Sequence, residues 1–174
     1  MNHFLSRRLF GFILFALFVL LWASLTKIDT HSWQEESRMA TIQALVEQNT
    51  FIIDYTEFNR TGDKVFINGH YYSDKPPLLS VVAAGAYAIL HNVFQLTLDP
   101  KICVPDEDRG ACRVFNGKLF RFTAFYWLTL IFIGGSSALL VTLFWKALLD
   151  AGASGLLATS FAVVLGLTSP IAPY

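Results

Sequence analysis

Apolar positions fall into long blocks separated by one polar stretch. Segment 9–26 (LFGFILFALFVLLWASLT) has no charge in 18 residues, segment 122–145 has none in 24, and segment 155–174 has none in 20. A helix crosses the hydrocarbon core of a bilayer with about 20 mostly apolar residues, so each block predicts a transmembrane helix. The fold class expected is an α-helical integral membrane protein, a multi-span helical bundle. Residues 1–8 would form a cytoplasmic N-terminus and 146–154 a cytoplasmic turn.

The polar stretch 27–121 has its own periodicities. In 34–48 (QEESRMATIQALVEQ), Met39, Ile42, Leu45 and Val46 recur at helical spacing, with Glu35, Arg38 and Gln43 on the other face. This predicts an amphipathic helix. Ser32 fits its N-cap, and Glu35 three residues on completes a capping box. The β-branched and aromatic run 50–54 (TFIID) predicts a short strand. Next comes Asn68-Gly69 between the runs 64–67 and 70–73, the strongest short hairpin signal, because both turn positions take positive φ. The external loop should therefore hold a helix and a small β-hairpin. After Lys75-Pro76-Pro77 a helix can start, since proline suits a first helical turn. Its body, 78–94, is rich in Gly, Ala and Ser and includes His91 and Asn92. It reads as an interfacial or half-inserted helix, with a short membrane span as the alternative.

Topology follows from the charges. Arg7-Arg8 before the first block reads as a retained signal anchor with a cytoplasmic N-terminus, since no small-x-small cleavage pattern closes the block. The loop 27–121 then lies outside. If 78–94 does not cross, Cys103 and Cys112 are external, and CVPDEDRGAC predicts a small disulfide ring in an oxidising compartment. If it crosses, both are cytoplasmic thiols. Two cysteines with no histidine nearby do not make a zinc site. The segment 155–174 reaches the last residue while still apolar, so a larger protein is expected, of which this is the N-terminal portion.

Composition adds little beyond this. The chain is 54% hydrophobic and 15% charged, with a formal net charge of zero and no basic run longer than two residues. That gives no case for a nucleic-acid partner. The three long apolar blocks carry no charge that would mark an ion path, which argues against a transporter.

The chemistry-bearing candidates sit in the loop. Glu35 and Glu36 open the amphipathic helix soon after the first block, where the positive helix end favours carboxylates. A carboxylate there can serve as general base toward a hydroxyl or amine acceptor. Lys75, stiffened by two prolines at the edge of an apolar helix, can meet an anionic phosphate as a point charge. Tyr71 and Tyr72 suit the membrane interface. His31 and His70 are single histidines for which the sequence offers no partner.

QEESRMATIQALVEQNTFI followed by INGHYYSDKPPLLS resembles the first external loop of the C-type membrane glycosyltransferases. The nearest likeness is to the lipid A aminoarabinose transferases and protein O-mannosyltransferases. The resemblance implies a sugar transferred from a polyprenyl-phosphate donor to a lipid, glycan or protein acceptor on the outer face of the cytoplasmic membrane. Membrane lipids and the lipid-linked sugar would be its partners. It implies that Glu35 stands where the family has a catalytic aspartate, and that Glu36 and Arg38 match its glutamate and arginine. Lys75 would match its loop lysine, and Tyr72 joins Arg38 and Lys75 as a substrate contact. Glu for Asp lengthens the arm by a methylene. No cofactor is expected, and a divalent metal is compatible with the family without being indicated. The alternative from another class is a membrane-anchored binding or assembly protein with no enzymatic activity.

Overall fold

The computed structural model describes residues 2–26, 32–98, 103–105, 112–114 and 123–168. These are mostly helical, and they fall into two compact units, 28–128 and the remainder of the chain on either side of it.

The unit outside 28–128 is made mainly of the apolar blocks, block 122–145 entering it from Thr129 onward. Helix α1 (Asn2–Leu25) begins ahead of the predicted 9–26. Residues Ala124–Asp150 form one continuous helix with three parts: α4 (Ala124–Thr129), a π-helical stretch (Leu130–Gly135) and α5 (Ser136–Asp150). It runs past Trp145 through Lys146, so the predicted turn at 146–154 shrinks to the residues after Asp150. Gly152, at φ +90°, reverses the chain there into α6 (Gly155–Thr168). Helix α5 packs on α1 and on α6. The core of this unit is built by Phe18, Trp22, Val141 and Trp145 over the small residues Ala138, Ala158 and Ala162. The Trp145 indole N–H donates to Thr159 Oγ1 at 3.2 Å, which satisfies its polar atom. The remaining faces are apolar and exposed, with Phe12, Leu17, Leu20, Leu139, Leu143, Leu157 and Phe161 among them.

In the unit 28–128, α2 (Trp33–Glu47) starts as predicted. Ser32 is the N-cap, and its Oγ accepts from the Glu35 amide at 3.3 Å. The helix ends at Glu47 with Gln48 as its C-cap, and Asn49 follows at a φ of +53°, a left-handed conformation asparagine tolerates. The predicted apolar face is only partly right. The buried stripe is Ser37, Ala40, Thr41, Ile42, Gln43 and Ala44, so Gln43 is buried, not solvated. Its side chain has found partners: Oε1 accepts from the Glu57 amide at 3.0 Å and Nε2 donates to Glu47 Oε2 at 3.0 Å. Helix α3 (Pro77–Phe94) has its proline in the first turn and buries Ser80, Ala83, Ala84 and Tyr87. The two helices pack together, and the Tyr87 hydroxyl donates to Glu47 Oε1.

Strands β1 (Lys64–Ile67) and β2 (His70–Ser73) pair antiparallel across Asn68 (φ +51°) and Gly69 (φ +88°), as the Asn-Gly signal predicts. The strand expected at 50–54 does not form. Its one ladder-like bond is Ile53 N–H to Tyr71 O at 3.0 Å. At the next residue the Asp54 side chain takes over the role of a backbone acceptor, receiving the Tyr71 N–H at 2.8 Å. The chain then turns tightly, with Thr56 N–H bonded to Ile53 O and Asn59 N–H to Thr56 O.

Strands β3 (Cys103–Pro105) and β4 (Cys112–Val114) form a second antiparallel pair, with Cys103 opposite Val114 and Pro105 opposite Cys112. The two cysteines are therefore offset in the ladder. Their side chains, and with them the predicted disulfide, lie outside the described residues, as does His31.

Candidate functional site

Ser37 is the residue around which the site assembles. It stands between Glu36 and Arg38 on α2 and is fully buried. Its Oγ donates to the backbone carbonyl of Asp63 at 2.6 Å and shares a 2.6 Å hydrogen bond with Ser73 Oγ. Ser73 Oγ also receives the Lys75 amide at 3.2 Å. The two motifs singled out in the sequence, 35–38 and 69–78, are thus joined directly, side chain to side chain, across 36 residues of chain.

Lys75 is tied into the same place. Its Nζ lies 2.9 Å from Asp63 Oδ2 and 3.3 Å from Asp74 Oδ1. The Lys75 and Asp63 side chains are 19% and 25% exposed, so this pair is largely shielded from water. The Asp63 hydrogen bond, and secondarily Asp74, raise the lysine pKa above its ordinary value against an opposing burial effect. Lys75 therefore stays charged throughout the physiological range.

The loop carrying Asp63 is clamped to the start of α2. Thr61 Oγ1 donates to Trp33 O at 2.8 Å and accepts from the Asp63 amide at 3.3 Å. Between them Gly62 lies under the Trp33 ring, where a Cβ would stand 2.4 Å from Cε3. Only glycine fits that approach without moving the indole.

The remaining candidates divide. Glu35, Glu36 and Arg38 are half-buried in the first turns of α2, beside Ser37. Both glutamates lie where the helix end favours negative charge. Tyr72 is half-buried in β2 opposite Val65. Strand alternation turns it to the face away from Ser73, so the hydrogen bonds that join the motifs do not include it. Cys103 and Cys112 are in the second ladder.

Sequence reading leaves His70 without a partner, and the structure corrects this. His70 Nδ1 is 2.8 Å from Asp54 Oδ2. Sequence reading also misses Asp63 and Asp54, because both lie in irregular segments placed by tertiary contacts. The only local signal was Gly62-Asp63 just ahead of the β1 pattern. No group of three or more metal-ligating side chains occurs among the described residues. No protein-family model, curated protein or solved structure matches the chain.

Proposed function

We propose that this chain carries the acceptor-activating and phosphate-binding loop of a membrane glycosyltransferase that uses a polyprenyl-phosphate sugar. The observation that supports this reading best is the Ser37–Ser73 hydrogen bond. It holds a carboxylate pair and an arginine on one side and a charged lysine on the other, two functions that such a reaction needs in one place. Support for the membrane setting comes from three helices, Arg7–Leu25, Pro77–Phe94 and Ala124–Asp150, each long and apolar enough to cross a bilayer. The exposed apolar side chains of α1, α5 and α6 suit lipid contact.

In the proposed reaction the acceptor O–H or N–H gives its proton to the Glu35 carboxylate. The acceptor atom then bonds to the anomeric carbon as the bond from that carbon to the phosphate oxygen breaks. The polyprenyl phosphate leaves with the electron pair, its charge countered by Lys75, and the anomeric configuration inverts. Glu36 and Arg38 orient the base and the substrate. Arg7 and Arg8 would hold the N-terminus inside and the loop outside.

The test is transfer from a synthetic polyprenyl-phosphate sugar in membranes containing the full-length protein. Lys75→Ala should weaken donor use, raising the donor KM about tenfold, the effect of losing one charge-assisted phosphate contact. Wild-type protein that transfers no sugar from any polyprenyl-phosphate donor would instead favour the binding or assembly role.

A further inference from the structure

We infer that Asp63 is a positioning residue of this site, fixing where the Lys75 ammonium stands relative to the Glu35–Arg38 turn of α2. The inference rests on the glycosyltransferase reading for its purpose and on the geometry for its substance. Asp63 acts through two different groups. Its backbone carbonyl receives Ser37 Oγ, which anchors it to α2. Its carboxylate receives Lys75 Nζ at 2.9 Å. One residue therefore spans from the helix bearing the carboxylates to the lysine, with no flexible link between the two contacts except its own short side chain.

The anchoring has depth behind it. Thr61 and Gly62 tie the preceding loop to Trp33, and Ser73 ties the Lys75 backbone to the same serine that holds Asp63. A lysine side chain has four rotatable bonds and loses much rotamer freedom when fixed. With its backbone pinned by Ser73 and its head by Asp63, Lys75 is held at both ends. Asp74 is also within reach at 3.3 Å, but it adjoins Lys75 in the chain and moves with it. It cannot refer the ammonium to α2. Asp63 is the acidic side chain that does so, and with Asp74 also bonded the third ammonium proton of Lys75 is left to meet a phosphate oxygen.

Asp63→Asn tests this with the backbone contact to Ser37 intact. Two readouts are needed, one independent of catalysis. The first is the pH dependence of Lys75 acylation by a small anhydride, read by mass spectrometry on full-length protein. Removing the carboxylate should lower the lysine pKa and speed acylation severalfold at a fixed alkaline pH. The second is sugar transfer, where the donor KM should rise about fivefold with kcat changed far less, as for loss of a partly exposed ion pair. Asp63→Glu should recover part of both effects. In a Lys75→Ala background, Asp63→Asn should add nothing to the donor KM, because the aspartate acts only through the lysine. Unchanged Lys75 acylation together with an unchanged donor KM would overturn the role. Faster acylation of Lys75 in a protein whose wild type transfers no sugar would keep Asp63 as the lysine's anchor and discard the glycosyltransferase reading. A further loss on adding Asp63→Asn to Lys75→Ala would show that Asp63 serves the fold instead, and would also overturn the proposal.

Discussion

Asp54 accepts two hydrogen bonds, from the His70 ring at 2.8 Å and from the Tyr71 amide at 2.8 Å. The His70 bond first, and the Tyr71 amide second, hold its carboxyl below the usual aspartate range. A carboxylate with a lowered folded-state pKa stabilises the fold above the ordinary value, about 4, and that help is lost as pH falls through the lowered value. Docking of β2 against residues 53–54 should therefore weaken in acid. Hydrogen exchange at the Tyr71 amide, corrected for its intrinsic rate, should show protection falling below about pH 4 in the wild type. Asp54→Asn should remove that step. An acid step of the same size in the variant would place the titrating group elsewhere. Local chemistry made some residues readable in advance. Ser32 and Glu35 form a cap within four residues, and Asn68-Gly69 carries its own φ requirement. Asp54 and Asp63 were not readable, because each matters through an amide or an ammonium brought to it from more than ten positions away.

Helices and strands show the same division. The hairpin matches its expected limits because turn chemistry and strand pattern agree. The strand expected at 50–54 fails although its residues favour extended structure, since Asp54 takes the Tyr71 N–H with its side chain and the chain turns away. Gln43 looked like a solvated residue by periodicity, yet the α2 stripe that is buried is small and polar, and Gln43 is paired within it. Periodicity reports hydrophobicity, not partnered polarity, so it could not see this. Among the apolar helices, the approach of α6 to α1 depends on Gly166. A Cβ there would stand 2.4 Å from Phe18 Cε1 and 3.2 Å from Val141 Cγ2, and both neighbours are buried. Gly166→Ala should destabilise this unit by about 1–3 kcal/mol through overpacking. Gly85, where an added Cβ meets nothing within 4 Å, serves as the control. Gly85→Ala should be neutral or stabilising by up to about 1 kcal/mol, since alanine is the better helix former. Thermal unfolding in detergent compares the two, and equal midpoints would contradict the packing of α6 described above.

Taken whole, the protein is proposed to place its loop outside and its arginine pair inside. A single cysteine at Arg60, an exposed position in the loop, should react with a membrane-impermeant thiol reagent in intact cells. One at Asp106 should react as well if Pro77–Phe94 lies at the interface; this comparison is made in protein lacking Cys103 and Cys112. Labelling at 60 with protection at 106 would make Pro77–Phe94 a true span, which its length and hydropathy allow, and would move residues 95–121 to the inner side. Blocks 9–26 and 122–145 were legible because 18 or more uncharged residues have few other uses. Of block 155–174 the described helix Gly155–Thr168 is shorter than a span, while Pro77–Phe94, read as interfacial, is long and apolar enough to cross. The joining of two distant motifs through Ser37 and Ser73 was not legible, since hydroxyl pairing leaves no periodic trace. That junction is where the functional reading stands or falls. The most direct measurement is sugar transfer from a polyprenyl-phosphate donor by full-length Glu35→Gln and Glu36→Gln proteins, each checked for normal amounts in the membrane. The amide keeps the size of the side chain but cannot accept a proton, and loss of general-base help costs about 10²–10⁴-fold. Glu35→Gln should fall by that factor while Glu36→Gln retains more activity. Loss in Glu36→Gln alone would move the base by one residue, and full transfer by both variants would contradict the mechanism.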